Sequence, residues 1–236
     1  MVNEPMSNII AENIKRVRAK IEEAAAKTGR SGSDIKLVAA AKTQPAGSVQ
    51  QAIAAGVDAV GENRVQEMTN KNAEAAYLGA PLHFIGHLQS NKVSKVVGVC
   101  NLIESVGSPA LLGLIGKRAK SIEIVQSVLI EVNIGREPQK SGILPEQIEE
   151  TLELASGIDG INVLGLMAIP PINEEIETNC NYFDSMLKLF VDISSKKYDN
   201  VSMRFLSMGM SDSFAEAIYA GSNMVRIGSA IFGDRI

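Results

Sequence analysis

Short apolar segments alternate with helical patterns along most of the chain. The first segment, KLVAAAK at 36–42, has the length and composition of a strand that is buried on both faces. Seven further runs of this kind lie at 58–62, 83–86, 102–106, 127–133, 162–168, 204–209 and 224–228. Eight buried strands separated by helices predict a parallel sheet with helices packed outside it.

Residues at helical spacing lie before and between these strands. Ile10, Ile14, Val17 and Ile21 predict an amphipathic helix ahead of the first strand. Later helices are indicated by Val65 with Met68 and by apolar positions within 111–115, 148–155, 183–190 and 214–218. Strand and helix therefore alternate through the chain.

Eight such units in 236 residues predict a single (β/α)8 TIM barrel with an extra N-terminal helix, in one domain over 1–236. The fold typically takes about 250 residues. An open, doubly wound sheet is the alternative. It is disfavoured because the first strand leads into KTQPAG, where a dinucleotide site would have GxGxxG.

Composition excludes several classes of partner. The net charge is -4, no block of Lys or Arg is present, Trp is absent and aromatic residues are 4% of the chain, so nucleic-acid binding is not expected. Cys100 and Cys180 are isolated, and His83 with His87 falls short of a ligand set, so neither disulfides nor a metal site is expected. The first thirty residues lack an apolar run, which predicts a cytoplasmic protein without a membrane partner.

The active site of such a barrel lies at the carboxyl ends of the strands. Lys42, after the first strand, draws attention because desolvation in an apolar barrel mouth would lower its pKa and leave a nucleophilic amine. A solvated loop lysine is the alternative. The other residues that follow strands are Glu62, Asn63, His87, Gln89, Asn133, Met167, Ser207 and Arg226.

The segments RFLSMGMSDSF and MVRIGSAIFG place small and hydroxyl-bearing residues after the last two strands, where barrels of this type commonly bind phosphate. Ser207, Ser211, Gly228 and Ser229 are the candidate phosphate ligands, and SAIFG is expected to start a short helix. Arg226 points to the same side as Gly228, where it either reaches a ring nitrogen or pairs with a carboxylate such as Glu62. A carbonyl-reactive lysine beside a phosphate site leaves two candidates, a Schiff-base aldolase and a pyridoxal phosphate (PLP) protein.

Seven ordered motifs resemble one known family, the pyridoxal phosphate homeostasis proteins, which are small relatives of the barrel domain of alanine racemase. The motifs are VAAAKTQP, GENRVQE, HFIGHLQSNK, VNIGREPQKSG, GLMAIPP, SMGMSDSFAEAI and VRIGSAIFG. The sequence departs from the family at Leu82, where an aromatic residue is usual, and at Ser213 and Phe214, which replace an acidic residue and a methionine.

The resemblance implies specific roles around PLP. Lys42 would form the Schiff base, Asn63 and Met167 would lie near the ring, and Arg226 would face the pyridine nitrogen. Ser207, Ser211, Gly228 and Ser229 would hold the phosphate. Lys92 and Lys140 fall at basic positions of the motifs and are either a positive rim for phosphate or surface residues.

The function implied is binding of PLP in intracellular PLP homeostasis, as a carrier or buffer and not as an enzyme. Apo PLP enzymes are the expected recipients, and a monomer is expected. An amino-acid racemase and a class I aldolase are the alternatives. Racemisation needs a second acid or base, which alanine racemase supplies as a tyrosine from another domain. Tyr77, Tyr182, Tyr198 and Tyr219 fall in or beside helical patterns here and are expected to be packing or surface residues.

Overall fold

A computed structural model of the protein describes residues 4–171 and 176–233. Eight parallel strands pair in chain order, and the first strand pairs with the eighth to close a barrel. The strands are β1 Lys36–Ala40, β2 Ala59–Glu62, β3 Leu82–Phe84, β4 Leu102–Val106, β5 Gln126–Val132, β6 Ile161–Ala168, β7 Val201–Ser207 and β8 Met224–Ile227. The predicted closed barrel is confirmed, and the open sheet is excluded.

Helices follow the strands on the outside of the barrel. They are α1 Glu4–Ala26, α2 Ala46–Ala54, α3 Val65–Ala73, α4 Val93–Val96, α5 Pro109–Ser121, α6 Ile148–Ser156, α7 Ile176–Ser194, α8 Phe214–Tyr219 and α9 Ser229–Phe232. The sequence-based prediction missed α2, where Val49, Ala52 and Ile53 have helical spacing, and α4, which is only four residues long. The predicted short helix at SAIFG is α9.

The extra N-terminal helix packs its apolar stripe against the barrel. Ile10, Ile14, Val17 and Ile21 are all buried, and α1 contacts α2, α8 and α9. It therefore covers the side of the barrel where β8 and β1 close.

The interior of the barrel carries an apolar level and a polar level. The apolar level is a separate cluster of Val38, Ala59, Leu102, Leu129, Met167 and Met224. Side chains two residues apart on a strand share a face, so Glu104, Glu131 and Arg226 lie one step above Leu102, Leu129 and Met224, toward the carboxyl ends. All three of these charged residues are buried. The end of the barrel at the carboxyl ends of the strands is called the upper mouth below, and the opposite end the lower mouth.

Candidate functional site

The upper mouth holds a cavity of about 530 Å³, a size typical of small-molecule sites. The segments that follow β1, β7 and β8 form its walls. Five residues singled out from the sequence line it, namely Lys42, Ser211, Arg226, Gly228 and Ser229. The fold thus brings together an amine, a guanidinium, two hydroxyl groups and a glycine from distant parts of the chain.

Lys42 lies two residues beyond the end of β1 and is exposed at the rim of the cavity. The next residue, Thr43, has a φ of 65°, and its N–H donates to Glu67 Oε2 at 2.8 Å, which anchors this turn to α3. Of the two interpretations of Lys42 that the sequence allows, the structure shows the exposed loop lysine and not an amine desolvated in an apolar mouth. The strand ends at Ala40, and the turn carries the lysine out to solvent.

The loops after β7 and β8 are joined to each other. The N–H of Ala230, in the first turn of α9, donates to Ser211 Oγ at 3.3 Å, which leaves the hydroxyl hydrogen of Ser211 able to donate elsewhere. A Cβ at Gly228 would lie 3.3 Å from the carbonyl oxygen of Ala40, so glycine suits this crowded wall. Hydroxyl and N–H donors grouped in this way suit an anion.

Arg226 is held in the cavity wall by a chain of buried hydrogen bonds. Its Nη1 donates to Ser207 Oγ at 2.6 Å, and its Nη2 donates to the carbonyl oxygen of Ala168 at 2.9 Å. Ser207 Oγ in turn donates to Glu104 Oε2 at 2.6 Å. The other carboxylate oxygen of Glu104 lies 2.7 Å from His83 Nδ1. The guanidinium is therefore fixed from below while it faces the cavity.

The charged residues around these hydrogen bonds influence the pKa values of one another. Burial alone would raise the pKa of Glu104, but the hydrogen bond from His83, the positive Arg226 and the Ser207 hydroxyl together hold that pKa below its ordinary value. Burial lowers the pKa of Arg226, and Glu104 and Glu131 oppose that shift. Burial raises the pKa of Glu131, against the attraction of Arg226 and His87. Glu104 is thus the carboxylate that most clearly balances Arg226.

Three other residues with sequence-based roles do not line the cavity. Ser207 is fully buried, and its hydroxyl is committed to Arg226 and Glu104, so it lies beneath the cavity and not on its wall. Met167, also buried, pairs in register with Ser207. Asn63 is half-buried just past β2, and its buried Oδ1 has no hydrogen-bond partner in the described part of the chain.

Glu62 was named as a possible partner of Arg226, and the structure gives it different partners. Its Oε1 accepts hydrogen bonds from Lys71 Nζ at 2.6 Å and from the Tyr77 hydroxyl at 3.0 Å. Arg226 pairs with Glu104 instead, with 3.8 Å between Nη1 and Oε2. Sequence reasoning missed Glu104 and Glu131. The available signal was a carboxylate inside each of the apolar runs LIESV and SVLIEVN.

The remaining polar candidates have local partners away from the cavity. His87 Nδ1 lies 2.8 Å from Ser141 Oγ. Asn133 exchanges hydrogen bonds with the backbone of Glu137, and Lys140 forms an ion pair with the Glu137 side chain. Neither Lys92 nor Lys140 lines the cavity. Within residues 4–171 and 176–233, no helix is long and apolar enough to cross a membrane.

Comparison with known proteins gives the same fold and a family. Residues 9–236 match the family described as alanine racemase, N-terminal domain. A pyridoxal phosphate homeostasis protein of Aquifex aeolicus is 41% identical over 224 residues, which cover 95% of this chain and 97% of that protein. The structure of PipY from Synechococcus elongatus with PLP bound has a TM-score of 0.83 and 28% identity, covering 95% of this chain and all of PipY.

A full alanine racemase shares only the fold. The enzyme of Corynebacterium glutamicum has a TM-score of 0.67 and 16% identity, and the match covers 97% of this chain but 61% of the racemase. The Aquifex homeostasis protein and PipY instead match this chain over nearly their whole lengths, and PipY has the same barrel. The chain belongs to the pyridoxal phosphate homeostasis protein family, whose fold is that of the N-terminal domain of alanine racemase.

Proposed function

We propose that this protein binds PLP covalently through Lys42 in the upper cavity and serves in PLP homeostasis as a carrier or buffer. The observation that carries the proposal is the convergence of Lys42, Arg226 and the two hydroxyl-bearing loops on one cavity. The name of the Aquifex relative and the PLP in the PipY structure support the same ligand.

The residues around the cavity fit PLP. Its aldehyde condenses reversibly with a primary amine and releases one water, and Lys42 supplies an exposed amine. Ser211, Gly228 and Ser229 offer donors for its phosphate. Asn63 and Met167 are assigned to the ring. The buried, unpartnered Oδ1 of Asn63 supports that assignment, because such an atom needs a hydrogen-bond donor.

Arg226 bears on the choice between carrying PLP and using it for catalysis. A guanidinium opposite the ring nitrogen disfavours protonation of that nitrogen, which weakens the cofactor as an electron sink. The bonds to Ser207 and the carbonyl of Ala168 fix the guanidinium, so it keeps this position without reorganisation. Carbanion chemistry such as racemisation is thereby disfavoured.

The tyrosines also argue against the racemase alternative. None of the four lines the upper cavity. Tyr77 is buried and donates its hydroxyl hydrogen to Glu62, and burial raises its pKa far above the ordinary value. Tyr219 lies beside Lys27, near the C-terminal end of α1. Among the residues that the structure describes, no tyrosine therefore lines the cavity where a second acid or base would act.

The first test is the visible spectrum of the purified protein with PLP, followed by borohydride reduction and peptide mass mapping. We expect a yellow absorption band and a pyridoxyl mass on the peptide that contains Lys42. Lys42→Ala should abolish both, whereas Lys117→Ala, at an exposed position of α5, should change neither. A protein that stays colourless, or carries label spread over surface lysines, would contradict the proposal, and an aldolase or a plain phosphate-binding barrel would be tested next.

The second test separates a carrier from an enzyme. With PLP bound, we expect no acceleration of α-proton exchange of amino acids in deuterated water. An acceleration of about tenfold or more that Lys42→Ala removes would establish racemase-type chemistry instead. Delivery to apo PLP enzymes and a monomeric state stay predictions, to be measured by reactivation of an apo-enzyme and by sedimentation.

A further inference from the structure

The lower mouth of the barrel holds a second cavity, of about 300 Å³. All eight strands contribute to its wall, from Lys36 on β1 to Met224 on β8. Side chains normally fill barrels of this type. Here small residues on two strands, Ala59 and Ser127, stand where larger side chains would close the space.

The floor of this lower cavity is apolar. Leu102 and Met224 are buried, and Leu164 and Phe205 are half-buried beside them. These side chains offer an aromatic edge and three flexible aliphatic surfaces. They suit the body of a small apolar molecule, because its burial would remove apolar area from water on both partners.

A histidine ring lies beside this apolar surface. His83 lines the cavity and is 7% exposed, and its Nδ1 is bonded to Glu104 at 2.7 Å. The carboxylate of Glu104 only accepts, so His83 donates the hydrogen of Nδ1 to it, and Nε2 is left for another partner. Nε2 makes no hydrogen bond to the residues that the structure describes. A hydroxyl group can both donate and accept, so a ligand that brings one into this cavity can form a hydrogen bond with Nε2.

The rim of the lower cavity is positively charged. Asp58 already accepts hydrogen bonds from Arg18 at 2.7 Å and from the N–H of Leu37 at 2.8 Å. Lys36 Nζ is a more distant third partner, at 3.3 Å from Asp58 Oδ1, and its side chain is 47% exposed. Two cations thus share one carboxylate, and Lys36 can turn toward an anion at the mouth.

We propose that the lower mouth is a second small-molecule site that takes a phenolic monocarboxylate. The apolar body lies on Leu102, Phe205 and Met224, the hydroxyl forms a hydrogen bond with His83 Nε2, and the carboxylate pairs with Lys36 at the rim. The site is separate from the upper cavity and does not depend on PLP.

Three probes separate the parts of this ligand: p-hydroxyphenylpropanoate, phenylpropanoate without the hydroxyl, and p-propylphenol without the carboxylate. Calorimetry with the full chain should give a dissociation constant of about 1 mM for the first probe, a realistic value for ~12 non-hydrogen atoms. Removing the hydroxyl should weaken binding by about tenfold. Removing the carboxylate should weaken it by about threefold.

The two histidines give a direct readout, because the chain has only His83 and His87. In imidazole NMR spectra the first probe should shift the His83 signals in a saturable way and leave those of His87 unchanged. The exposed His87 can be replaced by Gln to assign the signals. Lys36→Gln should remove the advantage of the carboxylate while the shift of His83 remains.

Lys42→Ala and added PLP serve as controls for the upper cavity, and neither should change binding of the probe. Loss of binding in either case would place the probe in the upper cavity and overturn the proposal. Equal affinity for the three probes, or no saturable shift of His83 up to about 10 mM, well above the expected dissociation constant, would also overturn it and mean that the lower cavity holds water only.

Discussion

Arg226 and Glu104 lie on opposite strands of the barrel, β8 and β4, yet Arg226 Nη1 is only 3.8 Å from Glu104 Oε2. The Ser207 hydroxyl bridges them, accepting from Arg226 and donating to Glu104, with 2.6 Å for each bond. This contact crosses the barrel just below the upper cavity. The position of Arg226 in the cavity wall therefore depends on the carboxylate of Glu104, which a ligand in the upper cavity does not need to contact.

Replacing Glu104 by Gln should strongly destabilise the fold. Arg226 would then be buried without its balancing charge, and such a loss costs about 3–5 kcal/mol of the free energy of unfolding. Urea unfolding of the wild type and of Glu104→Gln at neutral pH measures this loss of unfolding free energy. Glu153→Gln, at an exposed position of α6, is the matched control and should fall within about 0.5 kcal/mol of the wild type.

The pH dependence of the same variant gives a second check. The pKa of Glu104 is lowered in the folded state, so its contribution to stability is full above the unfolded-state pKa, about 4.3, and is lost as the pH falls through the lower folded value. The gap in unfolding free energy between wild type and Glu104→Gln should therefore narrow in acid. A gap that stays constant from neutral to acid pH would mean that the carboxylate charge is not what stabilises the pair.

Replacement by Ala should reduce stability at Ser207 and PLP binding at Ser229. Ser207 is buried between Arg226 and Glu104, so Ser207→Ala should lower the free energy of unfolding by about 1–3 kcal/mol. Ser229 is exposed on the wall of the upper cavity, so Ser229→Ala should leave stability unchanged and weaken PLP binding several-fold. Chemical unfolding and PLP titration of both variants decide this. If Ser207→Ala weakened PLP binding and kept its stability, while Ser229→Ala lost stability, Ser207 would be the phosphate ligand.

The sequence was sufficient for the architecture but not for the polar interior. Strand β4 lies at 102–106, as predicted, because a short apolar run between polar segments is a local signal. The hydrogen bond from Ser207 to Glu104 joins residues 103 positions apart, and no local sequence pattern indicates it. The position of Lys42 after β1 was predicted, but the sequence left its exposure open, since that depends on the turn at Thr43.

Glu131 should be a source of instability at neutral pH. Burial raises its pKa, so the stability that this group contributes is present below the unfolded-state pKa and is lost as the pH rises through the folded value. Glu131→Gln should therefore gain stability relative to the wild type as the pH rises, by about 1 kcal/mol at neutral pH. Urea unfolding across the acid to neutral range measures the difference. If the free energy of unfolding of the variant instead falls relative to the wild type as the pH rises, attraction to Arg226 outweighs burial.

Gly86 holds Asn63 in place through close contact of the two backbones. A Cβ at Gly86 would lie 2.2 Å from the carbonyl oxygen of Asn63 and 2.6 Å from its Cα, and backbone atoms cannot move aside as a flexible side chain would. Gly86→Ala should cost about 2–3 kcal/mol of unfolding free energy, as overpacked positions do.

The matched control for Gly86 is Gly47 in α2, where a Cβ would meet no atom within 4 Å. Gly47→Ala should stabilise the helix by about 0.5–1 kcal/mol. Thermal unfolding of both variants gives the comparison, and PLP titration of Gly86→Ala adds a functional readout. Because Asn63 is assigned to the ring of PLP, its displacement should weaken PLP binding as well as the fold. If Gly86→Ala melts like the wild type and binds PLP equally well, the turn after β2 is more adaptable than these contacts imply, and Asn63 has no fixed role in the cavity.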